Sequence, residues 1–524
     1  MLEKAEKWLF RFVGDIEAWR GHLVVVMLLA FLLTGIAVGT ALPPFQIADE
    51  SNHWRMLLGR WLGLAGGKSS CLSMPPVWEE FVASLGHHMP VGIFANVAHQ
   101  KLSCTPKIHM YGTLLTYPGA LLSLMLFTGQ TSTPTDFLRA FYAGRILQGM
   151  VVALALWRFA RLTSKRQSPG ALSVIAFLLC GLALQESFGV TADGVMFGFA
   201  VSLCGVMVAW DRLEVIDAVL FGLLGVAAST TKPFLTPAIV PALFAGFVNA
   251  QPADSRLGVL GSLRAFAKLA LPRLPRVKLA NAMMWIGLGL CVASVLSARR
   301  DFDTVAKRFD VTDQPSFLLH NPKVLLLDLP RSVLEQIHGP SDFMGPLGYL
   351  DAAISPDAGS AWFGLLLLAT GLELAFLLPR VRAKILRRMG AVRDSDAAGK
   401  PRRGMGVARG VALAGVLLSG ALCLYATILS LYLTWTRPGS RRVDGFQVRY
   451  VIPTVLICMG GLFAYLSTVC APRPTYLVAP RAAHARTLDR LVVRSVVLAI
   501  AVAIALLSFS ILSHLYYDIS ARYH

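Results

Sequence analysis

Residues 23–42 read LVVVMLLAFLLTGIAVGTAL, a run with no charge, and residues 43–55 continue PPFQIADESNHWR. At 1.5 Å rise per residue, about 20 residues make a helix about 30 Å long, the thickness of a bilayer's hydrocarbon core. Apolar all round, such a helix belongs in lipid or in a protein interior. No small-residue cleavage site of the secretory kind comes after it, so the run is read as a retained membrane anchor.

The same pattern recurs along the chain, which is 55% hydrophobic and only 15% charged. The predicted fold class is an all-α, polytopic membrane protein with helical external loops. After the first run, spans are predicted at Phe137 to Phe159, Ala171 to Gln185, Val190 to Trp210, Ile216 to Thr230 and Phe234 to Val248. Further spans are predicted at Ala282 to Ala298, Trp362 to Leu378, Val411 to Trp435, Val451 to Thr468 and Leu491 to Leu512. That makes about eleven transmembrane helices, or twelve if residues 110–129 also cross. Pro118, Gly112 and Gly119 interrupt that stretch, and counting it as a span would place the basic cluster Arg158 to Arg166 outside, against the charge bias. A juxtamembrane or re-entrant helix is therefore expected there.

The formal net charge is +19. Its densest clusters, Arg158 to Arg166, Arg256 to Lys278, Arg380 to Arg409 and Arg473 to Arg490, read as short connections between apolar runs. This is the positive-inside pattern, which puts them and the amino terminus in the cytoplasm. No aromatic-interleaved basic groove accompanies them, so nucleic acid is not expected as a partner. Two long external segments remain, Pro43 to about His109 and Arg299 to Gly359. Short apolar stretches within them, Trp78 to Leu85 and Val324 to Leu329, suit loops lying on the bilayer surface. Six cysteines lie in or beside apolar runs, whereas Cys71 and Cys104 share a polar loop. They could bridge in an oxidising compartment or remain two unpaired thiols.

Chemistry-bearing residues gather at the external helix ends. Asp49, Glu50, His53 and Arg55 come directly after the first helix, where shielding from water raises carboxylate pKa values and suits them to base catalysis. An N-capping acid pair at the start of a surface helix fits the same spacing. Glu186 and Asp193 flank a turn between two apolar runs, and an acid at such depth calls for a polar cavity or a partner. Favourable interaction with a helix dipole is the alternative for Asp193. Arg139, Arg145, Lys232 and Arg449 stand at external ends that the charge rule leaves unexplained. They could hold a phosphate, or snorkel to lipid headgroups. Asp301-Phe302-Asp303 is read as a solvated loop, and His87, His88, His99 and His109 show no zinc-ligand spacing. Phosphate-binding and nucleophile-elbow motifs are missing from the sequence.

These residues resemble the membrane glycosyltransferases of the GT-C type. They resemble more closely a bacterial multi-pass family of largely unassigned function, whose first loop usually reads Pro-Pro-Asp-Glu-Pro-x-His with an Arg soon after. Pro43-Pro44, Asp49-Glu50, His53 and Arg55 match, with Phe45 to Ala48 inserted and Ser51 in place of Pro. The match continues at Arg145, Asp193, Lys232-Pro233, Phe343 to Asp351 and Gln447 to Pro453, where Val448 replaces a usual Gly. The resemblance implies transfer of a sugar from a polyprenyl-phosphate donor to an acceptor hydroxyl of a cell-envelope glycan or glycolipid. The reaction would occur on the exported side of the bacterial inner membrane, with inversion at the anomeric carbon.

It further implies Asp49 as base, with Glu50 and Asp193 orienting the acceptor or a metal. Arg145, Lys232 and Arg449 would bind donor phosphate, and His53, Arg55, Glu186, Gln447 and Tyr450 substrate. A divalent cation, Mg or Mn, accompanies some enzymes of this type and not others. The implied organisation is a GT-C-like catalytic module over residues 1–378, a basic cytoplasmic loop over 379–409 and C-terminal transmembrane helices over 410–524. A transporter or flippase of a lipid-linked sugar, or a non-catalytic partner in an envelope-polysaccharide complex, is the competing expectation.

Overall fold

A computed structural model describes residues 19–44, 47, 50, 53–54, 57, 71–72, 105–106, 116–128, 133–251 and 258–270. It further describes 279–280, 282–293, 313–345, 354–388, 403–436, 439–444, 446–470 and 487–523. The described residues form an α-helical bundle. Its elements are α1 (Arg20–Ala41), α2 (Pro118–Phe127), α3 (Pro134–Arg166), α4 (Ala171–Leu178), α5 (Gly181–Ser187), α6 (Ala192–Ala209), α7 (Val215–Thr231), α8 (Ile239–Ala250) and α9 (Val259–Ala270). Next come α10 (Ala282–Ala293), α11 (Asp313–His320), α12 (Leu329–Leu334), α13 (Pro356–Arg388), α14 (Arg403–Trp435), α15 (Ile452–Cys470) and α16 (Thr487–Tyr523). Among the described residues one two-residue antiparallel ladder, Cys71–Leu72 with Thr105–Pro106, lies in the first long loop.

Seven of the described helices are long and apolar enough to cross a membrane: α1, α3, α6 with its adjoining turn, α13, α14, α15 and α16. The protein is a polytopic α-helical membrane protein. Shorter apolar helices accompany them, among them α7, α8 and α10. A Cβ on Gly287 would lie 2.8 Å from the Gly222 Cα, and one on Gly225 would lie 2.6 Å from the Cys291 Sγ, so α10 runs parallel to α7. Of the eleven expected spans, seven coincide with the helices of spanning length, three with the shorter apolar helices α7, α8 and α10, and Ala171 to Gln185 with the broken pair α4–α5. Helix α2 is ten residues long. At about 15 Å it is too short to span alone, and it packs against the outer part of α3.

Helix α6 is the hub. It packs against α3, α7, α8 and α15, and 94% of its apolar window is buried. On one flank α1 contacts α3, α4 and α5, and α16 lies against both α1 and α13. From Ser168 to Val201 every residue is buried, so α4 and α5 belong to the protein interior and not to a lipid-facing span. The expected single helix Ala171 to Gln185 is broken after Leu178, where Cys180 is extended and the Gly181 amide donates to the Met344 Sδ at 3.4 Å. The Phe188 ring comes next, in a slot between α1 and α3. A Cβ on Gly35 would sit 2.0 Å, and one on Gly149 2.3 Å, from ring carbons of Phe188. Only glycine permits this approach at both positions. Burying the ring contributes about 1.5–3 kcal/mol and anchors the turn ahead of α6.

Two sequence expectations change here. Arg158 to Arg166 is not a connecting loop but the last turns of α3, which ends at Gln167 in the left-handed conformation (φ 50°). Its four cations pair with Asp211, Glu214 and Asp217 at the start of α7 and just before it, so the helix continues where the composition suggested a loop. At the opposite end, Val324 to Leu329 is a wide π-type turn running into α12. This arm has its own small core, in which Leu318, Val324, Leu329 and Val333 meet Tyr432 and Val443.

Candidate functional site

Helix α1 stops at Ala41, where Pro43 excludes continuation, and its last carbonyls lack intrahelical partners. Arg145 of α3 supplies them. Its guanidinium donates to the carbonyl oxygens of Gly39 (2.8 Å), Leu42 and Pro43 (2.9 Å), and to Glu50 Oε1 from Nε (2.8 Å) and Oε2 from Nη2 (2.5 Å). All five N–H donors are thereby used. Both side chains are fully buried, Glu50 also accepts from the Val190 amide at 3.0 Å, and the guanidinium lies over Phe141 at 4.7 Å. Arg145 was expected to hold phosphate. In this arrangement it has no donor left for one, and it clasps the exit of α1 to the α5–α6 turn instead. Glu50 belongs to the same clasp and not to a free acid pair.

The residues beyond the turn meet in a second buried cluster. Thr191 is extended (φ −124°, ψ 161°) and its hydroxyl donates to the Glu186 carbonyl at 3.1 Å, closing the turn so that Glu186 and Asp193 lie on one side. Asp193 occupies the first turn of α6, where the helix dipole favours a negative charge. Lys232 terminates α7, because the adjoining Pro233 disfavours helical geometry in the residue before it. Arg449 stands on the 3-10 turn Val448–Tyr450 ahead of α15.

Asp193 is paired with Lys232 through Oδ1, and its Oδ2 lies 3.4 Å from the Arg449 Nε. Arg449 also donates through Nη1 to Glu186 Oε1. Tyr450 stands beside both cations, its ring centroid 4.7 Å from the Lys232 Nζ and 5.3 Å from the Arg449 Cζ. Two acids and two cations thus come together from four separate segments. Glu186 and Arg449 are at most 3% exposed. Among the described residues Glu186 Oε2, Ser187 Oγ and Gln447 Oε1 are buried without a protein hydrogen-bond partner.

His53 is buried and hydrogen-bonded through Nδ1 to the Tyr117 hydroxyl, just ahead of α2. Trp54 packs edge-on against Phe141 at 5.1 Å. Arg139 lies apart from both clusters, exposed and 3.6 Å from Asp136. Asp49, Arg55, Cys104, the Asp301-Phe302-Asp303 triplet and the four loop histidines lie outside the described residues. So does the side chain of Cys71, and with it the choice between a Cys71–Cys104 bridge and two unpaired thiols. A divalent cation needs several hard oxygen ligands. Among the described residues no three His, Cys, Asp or Glu side chains converge, and both Asp193 oxygens already face protein cations. The described donor set does not suit such an ion.

Sequence reading missed Tyr117 and the pairing of Glu50 with Arg145. The only signal for Tyr117 was an aromatic hydroxyl next to a helix-starting proline. It also missed Glu373, fully buried in α13, which accepts from the Leu172 amide at 2.9 Å and from Arg20 at 3.1 Å and so caps α4 from a neighbouring helix. Comparison of the chain with protein-family models, curated proteins and solved structures finds no match.

Proposed function

We propose that this protein is a membrane glycosyltransferase of the GT-C type, moving a sugar from a polyprenyl-phosphate donor to an acceptor hydroxyl. The observation that carries the reading is the buried meeting of Glu186, Asp193, Lys232 and Arg449, with Lys232 at the end of α7 opposite the one that meets Arg158 to Arg166. Buried ion pairs are often no more stabilising than apolar residues of the same size. Four such groups inside an apolar bundle are therefore accounted for better by chemistry than by stability.

In this reading the acceptor oxygen loses its proton to a carboxylate and attacks the anomeric carbon, whose bond to the phosphate oxygen breaks. Lys232 and Arg449 exchange part of their contact with Asp193 and Glu186 for the departing phosphate, whose charge grows as the bond opens. Glu186 Oε2 accepts a hydroxyl of the sugar. Asp49, next in sequence to the clasped Glu50, serves as base, and Arg145 and Glu50 act as positioning residues that fix the segment carrying it. By the charge rule the site faces the exported side of a bacterial inner membrane, with the amino terminus in the cytoplasm.

The test is an assay of purified, reconstituted protein with radiolabelled prenyl-phosphate sugars and a panel of envelope acceptors. Lys232→Met and Arg449→Met are expected each to lower kcat by about 10²–10³, as for other preorganised charge-stabilising donors. Wild-type transfer rates in both variants would sink the proposal. Counterflow of intact labelled donor across liposomes without bond cleavage would replace it with transport.

A further inference from the structure

We infer that the arm over residues 313–336 stands tip-first in the leaflet at the C-terminal end of α14, the exported one by the charge rule, with Leu326 and Leu327 among the acyl chains. The two limbs of the arm are tied at one level. Gln314, on the first limb, donates to the Thr436 carbonyl just past α14. On the second limb, Ser332 Oγ accepts from the Val443 amide at 3.2 Å and Gln336 donates to the Val443 carbonyl at 3.3 Å. The neighbouring Asp444 amide donates to Thr436 Oγ1 at 3.0 Å, which keeps Val443 beside the helix end. Between the limbs, the Leu325 carbonyl accepts from the Tyr425 hydroxyl at 2.8 Å. Tyr425 lies about 16 Å along α14 from Thr436, so the arm descends beside the helix and returns.

No charge stands between Arg409 and Arg437, a stretch about 40 Å long, whereas the hydrocarbon core is about 30 Å thick. Even with the whole excess of about 10 Å outside the bilayer, Leu325 remains about 6 Å within the hydrocarbon. Leu326 and Leu327 are 64% and 62% exposed at that depth, where the solvent is acyl chain. The backbone meets the same condition. Hydrocarbon offers no hydrogen bonds, and Pro330 has no N–H to give the Leu325 carbonyl in the π-type turn, so the Tyr425 hydroxyl supplies the bond. Lys323, exposed beside the tip, has a stem long enough to return its ammonium to the phosphates. Arg331 and Glu335, exposed and paired at 2.8 Å, sit higher on the second limb. The stretch expected to lie along the bilayer surface, Val324 to Leu329, thus enters the leaflet.

The test is independent of glycosyl transfer. In a cysteine-depleted background reconstituted in liposomes, nitroxides at L326C, L327C, L422C and E335C are scored for collision with oxygen against an aqueous nickel chelate. Leu422, 51% exposed on α14, is the reference for hydrocarbon, and Glu335, 60% exposed, the reference for water. L326C and L327C are expected to favour oxygen, as L422C does, at about 5–10 Å below the phosphates. Nickel access equal to that at E335C would put the arm in water, and shielding from both reagents would put protein over it. Either result overturns the inference. If the substituted proteins do not fold, the native chain in liposomes is photolabelled with a carbene reagent dissolved in the lipid. Adducts at Leu326 and Leu327 are expected, and adducts at Leu422 without them overturn the inference.

Discussion

Arg145 shows how much one side chain can organise. It closes the end of α1, neutralises Glu50 and, through that carboxylate, fixes the Val190 amide. Removing one partner of a buried pair leaves an uncompensated charge, which costs about 3–5 kcal/mol, whereas replacing both with apolar residues costs far less. Arg145→Met and Glu50→Leu are therefore each expected to lower the melting temperature in detergent by several degrees, and the double variant by less than either alone. Additive losses would show that the two side chains act independently. The candidate residues were legible as residue types, because acids and cations at external helix ends are conspicuous in an apolar chain. Their division into a clasp and a cluster was not. The partners Glu50 and Arg145 lie 95 positions apart, and nothing local to either indicates the other.

Helices report their ends differently. The start of α3 is written in its sequence: Thr133 and Asp136 cap each other across Pro134, with the Thr133 amide donating to Asp136 at 2.9 Å. Its finish was hidden, because Arg158 to Arg166 looks like a loop until Glu214 and Asp217 are brought beside it. Likewise the break between α4 and α5 comes from Met344, which is remote in sequence. Phe188 then holds the next turn, so Gly149→Leu is expected to expel the ring, lower stability by about 1–3 kcal/mol, as overpacked cores do, and abolish the proposed transfer. Normal activity in that variant would show that the slot does not position Glu186.

The ion pairs at the foot of α3 make a pH prediction. Hydrogen bonds from Lys165 and Arg158 lower the Glu214 carboxyl from its ordinary 4.5 to about 2. A group depressed in the folded state stabilises above its unfolded pKa and loses that effect as pH falls through the folded value. The melting-temperature gap between wild type and Glu214→Gln is thus expected to stay constant from pH 7 to 5 and to close between about pH 4.5 and 2. A gap that closes above pH 5 would contradict the assignment.

For the whole molecule, apolar run lengths and charge bias were enough to read a helical membrane protein, because those two quantities are set by the bilayer and not by tertiary contacts. The charge rule also makes a prediction about orientation. In a cysteine-depleted background, Arg264→Cys on α9 and Arg441→Cys beyond α14 are expected to react with an impermeant thiol reagent from opposite faces of sealed vesicles. Labelling from one face would require an even number of crossings between them. The contact of α16 with α1 and α13 bears on biosynthesis. A ribosome delivers α1 first among these helices and α16 last, so α1 must wait in the bilayer, one flank covered only by lipid, until nearly the entire chain has been translated. Loss of α16 would leave that flank open as a seam, where quality-control proteases that extract loosely held helices could begin.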